Sequence, residues 1–227
     1  EYPMGQHGFA RDKEFEQVAA GEDFVTYRLC ADEETKKAYP FDFILEITHR
    51  LQGNRLSVEW TVKNTDNKEM YFTIGGHPAF NVNVLPDTDF EDYFLVFKEG
   101  TESLSYVLLD TESGTAIADK TYKLKLTDSK YALKKDMFDK DALVFDNGQI
   151  EWAALALPDG KPYIALESKG FPNFGIWSKP GAPYVCLEPW CGRCDNRGFE
   201  GELSEKPGVN TLKAGEVFEK SYDIIVY

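Results

Sequence analysis

Two consecutive runs of alternating residues constrain this chain most. From Phe41 to Leu51 the sequence reads FDFILEITHRL, with Phe41, Phe43, Leu45 and Ile47 alternating with more polar neighbours. Gln52-Gly53-Asn54 follows. Then RLSVEWTVKNT sets Leu56, Val58, Trp60 and Val62 against Ser57, Glu59, Thr61 and Lys63. Successive side chains of a strand point to opposite faces, so a period of two gives each run one apolar and one polar face. Two such runs joined by a short Gly/Asn turn predict a β-hairpin.

The same pattern recurs along the chain. Met70 to Ile74 ends on Gly75-Gly76, Tyr93 to Phe97 stops before Gly100, and Tyr122 to Leu126 alternates. Tyr163 to Ser168, Phe174 to Ser178, Tyr184 to Glu188 and Phe218 to Tyr227 also read as strands. The turn Lys179-Pro180-Gly181-Ala182-Pro183 separates two of them. Helical signals are few. Asp32 to Lys37 predicts a short helix that Pro40 ends, and Lys130 to Phe138 predicts one or two helical turns with Ala132, Leu133 and Met137 as the apolar side. There is no internal repeat or linker. The 227 residues suit one continuous all-β domain, since sandwiches and barrels reach roughly 250 residues as single units.

Charge narrows the partners. With 25 Lys+Arg against 39 Asp+Glu, the net charge is −14. The basic residues are interspersed with acids, whereas wrapping a nucleic-acid backbone needs them clustered. No nucleic-acid partner is expected, and no anionic membrane surface. No apolar run approaches the roughly 20 residues of a membrane helix. Cys30, Cys186, Cys191 and Cys194 are few for a chain that can bury its own core, so reduced thiols and a cytoplasmic location are expected. The chain opens on Glu1-Tyr2-Pro3-Met4, which reads like the interior of a domain.

Chemistry has a short list of carriers. There are three histidines: His7, His49 and His77. His49 falls within the first alternating run and reads as a solvent-face or edge residue. His77 follows Gly75-Gly76 and precedes Pro78, and that proline holds its backbone extended. This either fixes an imidazole at a strand end facing a cleft or marks a turn histidine bonded to a carbonyl. His7 lies in QHGFAR with Gln6 and Arg11 beside it. The group holds sugar hydroxyls or a phosphate, or is a satisfied turn. Glu188, in VCLEPW, is either a partly buried acid–base carboxyl beside Trp190 or a strand-end Glu reaching solvent. Cys186, Cys191 and Cys194 have the spacing of three plant-type ferredoxin ligands, but Cys30 lies far upstream of the trio rather than after it. Cys186 reads instead as a core or face residue of a strand. No second CxxC or HxxxH pair supports zinc. GxSxG, Walker A and strand-linked GxGxxG motifs are absent.

Five segments together resemble the galactose mutarotase-like (aldose 1-epimerase) family, in particular its LacX-type branch. They are QHGFARDKEFE (Gln6 to Glu16), GGHPAFNV (Gly75 to Val82), KDALVF (Lys140 to Phe145), FGIWSKPGAPYVCLEPWCGRCDN (Phe174 to Asn196) and the ending KPGVNTLKAGEVFEKSYDIIV. The resemblance implies a large antiparallel β-sandwich, the supersandwich. It implies one domain over residues 1–227, lacking the family's N-terminal strands and a substrate-binding arginine carried there. By motif His77 matches the general-acid histidine and Glu188 the general-base glutamate. His7, Gln6, Arg11 and Asp141 match substrate-contacting positions, with Asp141 holding sugar hydroxyls. Cys191 and Cys194 have no place in that pattern.

The implied reaction is mutarotation of a hexose. Glu188 takes the anomeric hydroxyl proton while His77, on the far side, protonates the ring oxygen; the ring opens, C1 rotates and closure gives the other anomer. No metal, nicotinamide or other cofactor is implied. The expected partner is a small sugar, and the chain is expected to be a monomer or homodimer. A hexose-6-phosphate 1-epimerase, with Arg11 as anion contact, and a non-catalytic carbohydrate-binding protein are the alternatives.

Overall fold

A computed structural model describes residues 2–227, and its regular structure is mostly strand, with few helices. In order, the strands are β1 (Glu16–Ala20), β2 (Phe24–Cys30), β3 (Phe43–Gln52), β4 (Arg55–Asn64), β5 (Met70–Phe72), β6 (Ile74–Gly75), β7 (Ala79–Asn81), β8 (Phe94–Phe97) and β9 (Ser103–Tyr106). They continue as β10 (Tyr122–Lys125), β11 (Lys130–Ala132), β12 (Leu143–Phe145), β13 (Trp152–Ala156), β14 (Pro162–Glu167), β15 (Asn173–Trp177), β16 (Tyr184–Cys191), β17 (Asn210–Leu212) and β18 (Val217–Val226). The α-helix α1 (Glu33–Ala38) is capped by Asp32, whose side chain accepts from the Thr35 amide at 2.7 Å. The all-β antiparallel class expected from the sequence is the one found.

Two compact units are distinguishable: residues up to Phe72 with Asn210–Asp223, and Thr73–Val209 with Ile224–Tyr227. In the first, β1-β2-β3-β4 form a continuous antiparallel ladder. The predicted hairpin is its centre, with Phe43 opposite Asn64 and Gln52 opposite Arg55. Phe43, Leu45, Val58, Trp60 and Val62 turn their alternating apolar face into the core. Tyr39, Phe41 and Phe43 pack as an aromatic cluster to which Phe9 adds its ring, 5.7 Å from Tyr39 and 5.8 Å from Phe43.

In the second unit, one ladder runs β14-β13-β8-β11, and a second runs β12-β15-β16 with β6 and β7 both on the outer side of β16. The core is dense where β13 crosses it: Ala153, Ala154, Leu155 and Ala156 are all fully buried. The helical turns expected over Lys130 to Phe138 are not formed. Asp128 and Ser129 take positive φ and turn the chain, and Lys130–Ala132 then pairs with β8. Leu133 and Phe138 are buried from the turns that follow rather than from one helical face. Pairing with β8 satisfies both backbones at once, and this wins over the weak helical periodicity.

Candidate active site

The central strand of the second ladder, β16, is buried along most of its length. Its odd-numbered residues Val185 and Leu187 face the core with Phe174 and Ile176 of β15. Its even-numbered residues Cys186, Glu188 and Trp190 share the other face, because alternate residues of a strand do so. Across the ladder, Trp177 stands opposite Cys186, Gly175 opposite Glu188, and Asn173 opposite Trp190.

On the outer side, Gly75 pairs with Trp190 and Ala79 with Cys186, in one continuous register. The residues between, Gly76-His77-Pro78, fall outside regular strand but keep that register. The Gly76 amide bonds the Pro189 carbonyl at 3.0 Å, and the Leu187 amide bonds the Pro78 carbonyl at 3.2 Å. His77 therefore sits directly opposite Glu188, with its Nε2 3.5 Å from Glu188 Oε2. The His77 side chain is 38% exposed and that of Glu188 3%. Trp177 meets the imidazole edge-on at 6.0 Å between ring centres.

Two glycines shape this face. A Cβ at Gly75 would lie 2.4 Å from Trp190 Cδ1, and one at Gly175 would lie 2.4 Å from Trp190 Cζ2. The indole lies across the sheet, with its five-membered ring over Gly75 and its six-membered ring over Gly175. Its side chain hydrogen-bonds Glu188. Val144 and Ala142 back Trp177 and Trp190 in the same apolar cluster.

Burial pushes the Glu188 carboxyl up to about 8, against the Trp190 hydrogen bond, which favours the charged form; the charge of Asp141 adds to the rise. Cys186 is buried alongside, and burial with the Glu188 charge pushes its thiol up to about 12. Asp141 has positive φ, and one carboxylate oxygen accepts from the Ala142 amide at 2.7 Å. Arg193 makes a two-pronged bond to Asp146 at 2.9 and 3.0 Å, and Asn173 donates to Asp146 at 2.7 Å. That network ties the end of β12 to the start of β15 and to the loop after β16.

The structure thus brings together His77, Glu188 and Asp141. Gln6, His7 and Arg11 belong to the first unit, where all three are exposed. His7 and Gly8 take consecutive positive φ angles of 68° and 70°, and Arg11 lies 3.5 Å from Asp12. His77 and Glu188 stand side by side rather than on opposite sides of a cleft. The ferredoxin-like trio does not converge. Cys186 and Cys191 are five residues apart on one strand, so they point to opposite faces, and no cysteine forms a disulfide among the described residues. Sequence reasoning missed Cys186 and Trp177 as neighbours of the dyad, and the spacing role of Gly75 and Gly175. The shared parity of 186, 188 and 190 was the available signal.

The sequence profile described as aldose 1-epimerase matches residues 1–224. The plasmid and chromosomal LacX proteins of Lactococcus lactis subsp. lactis are 30% identical over 224 residues, 97% of this chain and 74% of theirs. Among solved structures, a galactose mutarotase related enzyme from Lactobacillus acidophilus superposes with a TM-score of 0.92 at 31% identity, over 100% of this chain and 75% of that one. A galactose mutarotase-like protein from Lactobacillus casei gives 0.86 at 31% identity, over 100% and 77%.

Proposed function

The chain belongs to the aldose 1-epimerase family, and from that premise we propose that it interconverts the α and β anomers of a hexose, with Glu188 as general base and His77 as general acid. The observation that carries this reading is the Nε2–Oε2 distance of 3.5 Å at a face open on the His77 side. The two oxygens that exchange protons in mutarotation, the anomeric hydroxyl and the ring oxygen, are bonded to one carbon. An acid and a base placed side by side can therefore serve both.

In the productive state His77 carries a proton and Glu188 is ionised. Glu188 takes the anomeric proton as His77 protonates the ring oxygen, and the C1–ring-oxygen bond breaks to leave the open aldehyde. After C1 rotates, His77 removes the proton it gave and Glu188 returns the other. Each transfer contributes roughly 10²–10⁴-fold, and holding the aldehyde in place adds a proximity effect. Asp141 receives sugar hydroxyls at its second carboxylate oxygen. Trp190 and Trp177 wall the site with apolar surface. Gln6, His7 and Arg11 are assigned as further substrate contacts on the motif alone.

Magnetisation-exchange NMR on anomeric mixtures of glucose, galactose and their 6-phosphates tests this. The expected result is faster anomer exchange of an unphosphorylated hexose, abolished in Glu188→Gln and His77→Asn. Sugar binding with an unchanged exchange rate would reduce the protein to a carbohydrate-binding one. Acceleration confined to the 6-phosphates, and lost in Arg11→Ala, would move the substrate to a phosphosugar.

A further inference from the structure

We propose that the same sheet face binds a thiophilic divalent cation of the zinc type through His77 Nε2, Cys186 Sγ and a Glu188 carboxylate oxygen, and that this cation inhibits the enzyme. The three ligand atoms lie within 4.8 Å of one another. The ladder places them there: Cys186 and Glu188 are two apart on β16, and His77 stands opposite Glu188.

The donor set fits. Three protein ligands with one open position is the arrangement of catalytic rather than structural zinc sites. Tetrahedral bonds of about 2.0–2.3 Å put neighbouring ligand atoms roughly 3.4–3.6 Å apart. His77 and Glu188 already have that separation at 3.5 Å, and the widest pair needs about 1 Å of closure, within reach of side-chain rotation. Thiolate and imidazole select zinc, cadmium or cobalt over magnesium or calcium. Charge also matches. A thiolate, a carboxylate and a neutral imidazole around a dication sum to zero, which suits a face where Cys186 and Glu188 are both buried. The half-exposed imidazole lies at the solvent side, so the fourth position faces the direction from which a sugar arrives.

Metal binding needs only the three side chains. Its inhibitory consequence rests on the function proposed above, because the cation occupies both atoms that carry protons there. Cobalt(II) titration tests the site by the thiolate-to-cobalt absorption band. It is done in a Cys30→Ser background, since Cys30 is an exposed thiol elsewhere in the chain. One equivalent is expected to bind, to be displaced by zinc, and to be stripped by EDTA. The band should vanish in Cys186→Ala and binding should weaken by more than about tenfold in His77→Gln; circular dichroism checks that both variants fold. No band, or a band that survives Cys186→Ala, overturns the site. In parallel, zinc should suppress anomer exchange and EDTA restore it. A bound metal with an undiminished rate overturns the inhibition. If metal-free protein shows no anomer exchange while the cobalt band forms, the function fails and the metal site stands.

Discussion

Carboxylates occupy two kinds of place in this molecule. On the first unit's ladder, Glu46 accepts from Arg28 at 2.7 Å, Glu59 from Arg50 at 3.1 Å, and Asp223 from both Arg55 and Ser57. Each is partly exposed and has its guanidinium across the strand. On the second unit's ladder, Glu188 is buried among Trp190, Trp177 and Cys186, with an imidazole as its basic neighbour at 3.5 Å. The first arrangement keeps charge in place at little cost or gain. The second makes the charged form expensive, which is what lets a carboxyl exchange protons near neutral pH. Burial and the identity of the cationic partner, rather than the residue type, separate the two.

The sharpest way to break that contrast is to neutralise one carboxylate from each region. Glu188→Gln is expected to lower the rate of anomer exchange by roughly 10²–10⁴-fold, while Glu59→Gln should leave it unchanged. Stability should move the other way. The folded-state pKa of Glu188 lies above its ordinary value of 4.5, at about 8. Its contribution to stability is then complete below about pH 4.5 and lost as pH rises through 8. Glu188→Gln should therefore gain up to about 5 kcal/mol over the parent above pH 8, read from denaturant melts at pH 5 and pH 9. Equal stability differences at both pH values would count against a buried, strained carboxyl.

The next test alters the shape around Glu188 without touching its charge. Gly175→Ala places a methyl into the Trp190 indole and should cost about 1–3 kcal/mol, with a drop in rate because the indole that bonds Glu188 is displaced. Thermal melts and anomer exchange measured on one sample check both effects. In EDTA-treated protein the rate should be bell-shaped in pH, rising as Glu188 ionises and falling as His77 loses its proton; a profile flat from pH 6 to 9 would remove Glu188 as the base. The smallest effect belongs to the exposed pairs. Arg50→Ala should cost between about 0 and 1 kcal/mol, a difference that shrinks in high salt.

Much of the fold was legible because strands with one covered face announce themselves. The β3–β4 hairpin formed close to where its alternation placed it, as did β8, β10, β14, β15, β16 and β18. Strand β13 escaped notice because WAALA is apolar throughout. A strand buried on both faces has no period of two to read. β2, with its sequence FVTYRLC, was also overlooked; Thr26 is buried and Tyr27 exposed there, which inverts the usual preference. At the site, His77 and Glu188 stood out by motif, yet nothing local in sequence says that residue 77 lies opposite residue 188. That pairing is a long-range fact of register. The burial of Glu188 follows from it, as does the company of Cys186.

The break at Gly76-His77-Pro78 has one more effect. Among the described residues, β6 and β7 form the outer margin of their sheet. An uninterrupted margin offers a row of unpaired amides and carbonyls to any passing strand, including one from another copy of the chain. The gap divides the margin into segments of two and three residues, and edge strands that short are poor templates for an added strand. The tripeptide that aims the imidazole thus also shortens the edge with which another strand could pair.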